Sequence, residues 1–209
     1  MENKTEPMNH LIIHATHRNE SFISQAVVVL GKALLAKGEN VLLRDLYSIN
    51  FDPILTVTDF EMTRHGNTPE DIRAEQEYIS SADIIWFFYP VWWTGMPAIL
   101  KGYIDRVFLS GFAYKMAGNN PIGLLRDKKV VIINSMGQTR EEYEELGMFE
   151  AMKLTTDTGV FGFCGMHVIC HKYFTSIMSV NEKQRLKYFK EIEKLVEHIV
   201  ENKPECVSS

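Results

Sequence analysis

The residues of this chain best suited to chemistry stand where apolar runs end. Residues 84–89, Ile-Ile-Trp-Phe-Phe-Tyr, have the length and composition of a strand buried on both faces, and Pro90-Val91-Trp92-Trp93 follows at once. Open parallel sheets bind ligands at the carboxyl ends of their strands, so adjacent indoles there offer a shelf to a flat ring. They serve equally well to cap a core or fill a subunit contact. After the run 10–15, which contains His14, the chain reads Thr16-His17-Arg18-Asn19-Glu20-Ser21-Phe22. Hydroxyls, an arginine and the free N–H groups of a helix start suit a phosphate; the plainer reading is a Ser21 N-cap beside a solvated Arg18. A third polar turn, Ser135-Met136-Gly137-Gln138-Thr139, follows the run 129–135. Gly137 lets the backbone come close enough to meet a heterocycle edge, although an ordinary strand-to-helix connection needs no more.

Strand and helix patterns alternate along the chain and position these turns. Residues 21–37 read as a helix with Gly38 at its C-terminal cap, and 40–45 as a second strand. Residues 47–67 read as irregular. A helix then starts near Thr68-Pro69-Glu70-Asp71, with Thr68 as N-cap, Pro69 as first residue and two acids at the positive helix end. The third strand, 84–89, leads to a helix over 97–109; a loop over 117–127 leads to a fourth strand, 129–135. Residues 141–159 are mostly helical in pattern, 166–170 form a fifth strand, and 181–201 form a terminal helix capped by Asn181. Five strands alternating with five helices predict an α/β, doubly wound parallel sheet of order 2-1-3-4-5, with helices on both faces. No composition break divides residues 1–209 into more than one domain, and 1–7 and 202–209 are expected to be loose. In that topology the switch point lies between the first and third strands. A phosphate donor set, an aromatic shelf and a polar edge then surround one cleft, an arrangement that fits a flavin nucleotide.

Composition narrows the alternatives. A net charge of −5 over 209 residues argues against a general nucleic-acid-binding surface. No apolar run reaches the roughly 18–20 residues of a membrane span, and the polar start MENKTEPMNH lacks the apolar region of a secretory signal, so the expected location is cytoplasmic. Cys164, Cys170 and Cys206 form no close ligand pair, and the seven histidines show no HExxH spacing. His167 and His171 flank a strand rather than share a helix face. No metal site is expected. Cys164 and Cys170 fall in apolar surroundings and are expected in the core.

Beyond the individual turns, the sequence resembles the flavodoxin-like NAD(P)H:quinone oxidoreductase family. The resemblance is carried by Pro90-Val91-Trp92-Trp93, Met96-Pro97-Ala98-Ile99-Leu100-Lys101-Gly102-Tyr103, Asp105-Arg106-Val107-Phe108 and Gly111-Phe112-Ala113-Tyr114. Asp45-Leu46-Tyr47, Phe51-Asp52-Pro53, Glu75-Gln76, Ala82-Asp83 and Phe163-Cys164-Gly165 extend it over about residues 9–200. The resemblance assigns His14, Arg18, Ser21 and Phe22 to a flavin phosphate turn, and Pro90, Val91, Trp92 and Trp93 to the loop beside the isoalloxazine. Ser135, Met136, Gly137 and Gln138 fall on a turn that usually reads Thr-Thr-Gly-Gly. Tyr143 falls near the flavin's pyrimidine edge, as the candidate catalytic group. Trp93 is expected to meet the substrate ring, and Trp92 to offer chiefly its backbone to the flavin. Tyr114, Phe163 and Phe149 fall on the substrate side, partly contributed by the other subunit of a homodimer.

The departures from the family pattern carry consequences. Gln138 replaces a glycine and narrows the pocket. Phe149 stands where animal members carry a histidine; it donates no proton, so a Tyr–His relay is absent and charge on the reduced flavin must be balanced elsewhere. Residues 54–67 form a shorter loop than in the animal enzymes. The activity implied is two-electron, ping-pong hydride transfer from NAD(P)H through flavin N5 to a quinone or similar flat acceptor. Arg185 falls where FAD-binding relatives place an arginine, so the expected cofactor is FAD, with FMN as the alternative. Other readings of the same fold are a one-electron flavodoxin-type carrier and a regulatory flavoprotein subunit of a potassium-efflux system.

Overall fold

The computed structural model describes residues 6–201. Its main sheet has five parallel strands: β1 (Asn9–His14), β2 (Asn40–Asp45), β3 (Ile84–Pro90), β6 (Lys129–Ser135) and β7 (His167–Phe174), in the order β2-β1-β3-β6-β7. Counted within this sheet alone, that is the predicted 2-1-3-4-5. β3 lies at its centre, which is why every residue from Ile84 to Tyr89 is buried. The pleat sends Ile85, Phe87 and Tyr89 to one core, under α3 (Glu70–Ser81) and α4 (Ala98–Val107). It sends Ile84, Trp86 and Phe88 to the other, under α1 (Phe22–Ala36) and α7 (Glu182–Val200). Helices therefore cover both faces, and a strand with no solvated side needs no polar alternation. Cys164 and Cys170 are both buried, as expected.

Ser21 and Asn181 cap α1 and α7 as their types predict, each accepting a backbone N–H of the first turn. Elsewhere local chemistry departs from the reading. The stretch 47–67 contains a helix, α2 (Val57–Arg64), held by a reciprocal capping box between Thr56 and Asp59. Pro69, not Thr68, is the N-cap of α3, and no side chain caps that end. Similarly Pro97 precedes α4 as its N-cap. The expected loop 117–127 holds a hairpin, β4 (Tyr114–Ala117) with β5 (Asn120–Gly123), whose turn includes Gly118 at φ 63°. The helix expected over 141–159 is broken. Gly147, at φ 67°, separates α5 (Arg140–Glu145) from α6 (Met148–Lys153), and a π-helical segment, Leu154–Gly162, follows. β7 runs on to Phe174 because Asn134 and Ser135 supply partners for Tyr173 and Phe174.

Two contacts set the height of α4 over the sheet. Gly102 faces Pro53 so closely that an added Cβ would lie 2.2 Å from the Pro53 carbonyl oxygen. Arg106, buried, donates to Asp71 at 3.0 Å, to Asp59 at 3.3 Å and to the Asp52 carbonyl at 2.8 Å. One guanidinium thus joins α2, α3 and the residue-52 turn to the helix that leaves the tryptophan loop.

Candidate functional site

The crevice at the carboxyl ends of β1 and β3 is where the connections leave to opposite faces. Beneath it lies His14, whose Nδ1 is 3.1 Å from Asp45 Oδ2 and whose Nε2 is 3.3 Å from Ser24 Oγ. Burial pushes this imidazole below its ordinary value against the pull of Asp45. Burial also disfavours the Asp45 carboxylate, but the Ser48 N–H and His14 outweigh it and hold Asp45 below the usual range. Ser24 Oγ donates to the Arg18 carbonyl at 2.7 Å, and Ser21 Oγ accepts from Ser24 N at 3.1 Å. The first turn is therefore folded onto the start of α1, with that helix's dipole directed at the crevice.

The second wall is the tryptophan loop. Val91 N–H donates to Ser135 O at 2.8 Å, locking the exit of β3 to the end of β6. Trp92 and Gly95 then exchange N–H and C=O at 3.0 Å each, closing a two-residue turn. Both central residues are left-handed, Trp93 at φ 50° and Thr94 at φ 57°, where glycine or asparagine is the usual occupant. A bulky and a β-branched residue held there mark stored strain. The turn leaves Trp93 fully exposed, whereas Trp92 packs its indole on His17 at 5.4 Å between ring centroids. The Trp92 N–H is spent on Gly95, while its carbonyl oxygen, which accepts the Gly95 N–H, keeps a second lone pair.

These walls enclose a cavity of about 520 Å³. Arg18, Glu20, Ser21 and Phe22 reach it from the first turn, Pro90 from the end of β3, Trp92 from the loop after it, Ser135 from β6, and Arg185 from α7. Two guanidinium groups and a helix start facing one cleft form an anion-binding donor set, and the adjoining indole offers a planar face. The chemistry of this set fits a nucleotide-type flavin. Met178 and Ile177 also line the cavity, and no local pattern in the sequence marks them.

The remaining candidates fall elsewhere. Met136, Tyr143 and Phe149 are buried in a third small cluster with Met152 and Tyr173, against which Val91 packs. Tyr143 lies 5.5 Å from Phe149, and Phe149 lies 4.7 Å from Tyr173. Gly137 faces Met178, and the Gln138 carbonyl accepts the Ser176 N–H at 2.9 Å. Tyr114 and Phe163 form an edge-to-face pair at 5.1 Å that lines a separate cavity of about 470 Å³, with Phe60, Phe108 and Val160. One chain thus does not bring them to the cleft of Arg18 and Trp92. Sequence reasoning also missed a buried polar group on the side of Tyr143: Tyr89, Asn134, Asp157, His171 and Tyr173. Separated in sequence, these residues carry no shared motif.

Comparison with known proteins agrees with this architecture. An uncharacterized NAD(P)H oxidoreductase of Haemophilus influenzae is 37% identical over 179 residues, covering 85% of this chain and 89% of that protein. The ribosyldihydronicotinamide dehydrogenase [quinone] of Rattus norvegicus is 29% identical over 195 residues, covering 84% of each. The solved NAD(P)H:quinone oxidoreductase of Methanothermobacter marburgensis superposes with a TM-score of 0.83 at 26% identity, covering 92% of this chain and 99% of that one. The family model for the flavodoxin-like fold matches residues 8–198, and the chain belongs to that family.

Proposed function

We propose that this chain is a flavin-dependent NAD(P)H:quinone oxidoreductase. The observation that carries the reading is the convergence of Arg18, Ser21, Trp92, Ser135 and Arg185 on one cavity at the switch point of the sheet. The named quinone reductases among its relatives and structural neighbours support the same activity. Bound flavin supplies the hydride exchange, and the protein supplies binding, orientation and exclusion of water. Arg18 and the start of α1 hold phosphate, the His14–Asp45 pair stiffens that turn from below, and Trp92 sets one wall. Trp93, free on its strained turn, is the face for a flat acceptor such as a quinone, and Tyr143, whose cluster packs on Val91 of the same loop, is the candidate hydroxyl for the flavin's polar edge. Two arginines in the same cavity favour the diphosphate of FAD over the monophosphate of FMN.

A homodimer completes the reading. Tyr114 and Phe163, remote from the cleft within one chain, would close the acceptor side of the partner's site. Phe60 and Phe163, both exposed on this same wall, would be covered by that contact.

Purified protein should be yellow, should release FAD by mass measurement, and should oxidise NAD(P)H with ping-pong kinetics when menadione is added. Protein that stays colourless after reconstitution with either flavin would overturn the assignment. Light scattering should give twice the 24.1 kDa chain mass; a monomer would refute the dimer.

A further inference from the structure

The sheet order β2-β1-β3 sets three strand exits side by side. Tyr47 stands two residues past the end of β2, His17 three past β1, and Trp92 two past β3. In register, Asp45 pairs with His14 and His14 with Phe88, so the exits leave the sheet from neighbouring positions. Their rings form a row. The His17 imidazole lies 5.4 Å from the Trp92 indole, tilted by 51°, and 6.3 Å from the Tyr47 ring, tilted by 60°. Tilted aromatic rings attract at both separations. His17 and Trp92 both line the cavity that holds Arg18 and Arg185.

One end of the row is anchored. Tyr47 N–H donates to Asp45 Oδ1 at 3.1 Å, and Asp45 Oδ2 faces His14 Nδ1 at 3.1 Å. At the other end, the Trp92 backbone is bonded to Gly95, which fixes the main chain but not the direction of the indole. Trp93 serves as an internal comparison. It sits on the same turn, has no ring against it among the described residues, and is fully exposed, whereas Trp92, against His17, is 38% exposed. A ring neighbour is what separates the two indoles.

We infer that His17 is a positioning residue: packed on both Tyr47 and Trp92, it holds the indole in the wall of the cleft and acts on flavin binding through Trp92. Its effect on flavin rests on the function proposed above; the ring contact does not. The gain is one of preorganisation. An indole free to swing must be ordered when a ligand binds, and one already held presents a finished wall. Removing the prop costs that ordering together with the ring contact, about three- to tenfold in affinity. Arg18 and Arg185 still face the anion, so the loss is partial. A flat ring of similar size can replace the imidazole, because the role is one of contact rather than charge.

A double-mutant cycle on flavin affinity, measured by titrating the flavin-free full-length protein, tests the coupling. His17→Ala should weaken binding about three- to tenfold in the wild-type background and by less than about twofold in Trp92→Ala, where there is no indole to hold. His17→Phe should keep wild-type affinity. Equal losses from His17→Ala in both backgrounds would overturn the inference. So would a loss in His17→Phe as large as in His17→Ala, which would make the imidazole nitrogens a direct contact to the ligand. The row itself is read without flavin: proton NMR should show cross-relaxation between the His17 ring protons and the Trp92 indole, and its absence would refute the contact. Wild-type protein that shows this cross-relaxation yet binds neither flavin would overturn the functional reading and the coupling with it, leaving the ring contact in place.

Discussion

The Asp45 carboxylate stands 3.1 Å from Nδ1 of His14, so the end of β2 fixes an imidazole beneath a turn that β2 itself does not reach. Asp45 is held in turn by the N–H groups of Tyr47 and Ser48, at 3.1 Å each. Replacing Asp45 with Asn keeps the shape and removes the charge. We expect flavin affinity to weaken by about tenfold, as for loss of one charge-assisted hydrogen bond. Titration of the flavin-free protein measures it, and unchanged affinity would show that His14 does not support the turn.

Trp93 makes its case by exposure. Since it is fully exposed while Trp92 lines the cavity, Trp93→Ala should impair turnover with menadione far more than flavin retention. Trp92→Ala should do the reverse. Steady-state kinetics set beside flavin content after gel filtration separate the two; equal effects on both quantities would mean the turn has been assigned wrongly.

Gly102 is required by contact, not by backbone angle. An alanine Cβ would lie 2.2 Å from the Pro53 oxygen and 2.4 Å from Pro53 Cβ. Alanine favours a helix interior by about 1 kcal/mol over glycine, but displacing backbone at a packed contact costs more. Gly102→Ala is expected to lower stability by about 2–3 kcal/mol and Tm by roughly 5–10 °C in calorimetry.

Stability should fall with acid in two stages. Burial holds His10 and His14 below their ordinary value, against the pull of Glu39 and Asp45, so the unfolded chain binds more protons than the folded one. The stability they contribute is full above the unfolded value of about 6.5 and is lost as pH falls below it. Asp59 follows the same sign lower down. Burial disfavours its charge, yet the Thr56 N–H and Arg106 outweigh this and depress it, so its contribution is lost as pH falls below the ordinary carboxylate range. Urea unfolding at a series of pH values should show the first loss near neutrality, and His14→Gln should reduce it.

Some of this molecule is written in short stretches of chain. The buried run of β3, the caps Ser21 and Asn181, and the alternation that gives five parallel strands depend on residue type and spacing, so they can be read locally. The Thr56–Asp59 capping box was equally local, yet a helix as short as α2 has too little apolar periodicity to announce itself. The hairpin of β4 and β5 escaped for the same reason, with strands of four residues and Pro121 inside one of them.

What the sequence alone determined was the set of polar turns at the strand ends and the alternation of strands with helices, because turn chemistry and burial pattern act over a few residues. The tertiary structure decided which of those turns share a cavity. It gathered Arg18 and Arg185 on one cleft, sent Tyr114 and Phe163 to another, and turned Trp92 inward and Trp93 outward. It also brought His171 within hydrogen-bonding distance of Asp157 and Asn134. Such contacts require atoms of residues 14 and 37 positions apart to be placed within a few tenths of an ångström, and no spacing along the chain encodes that placement.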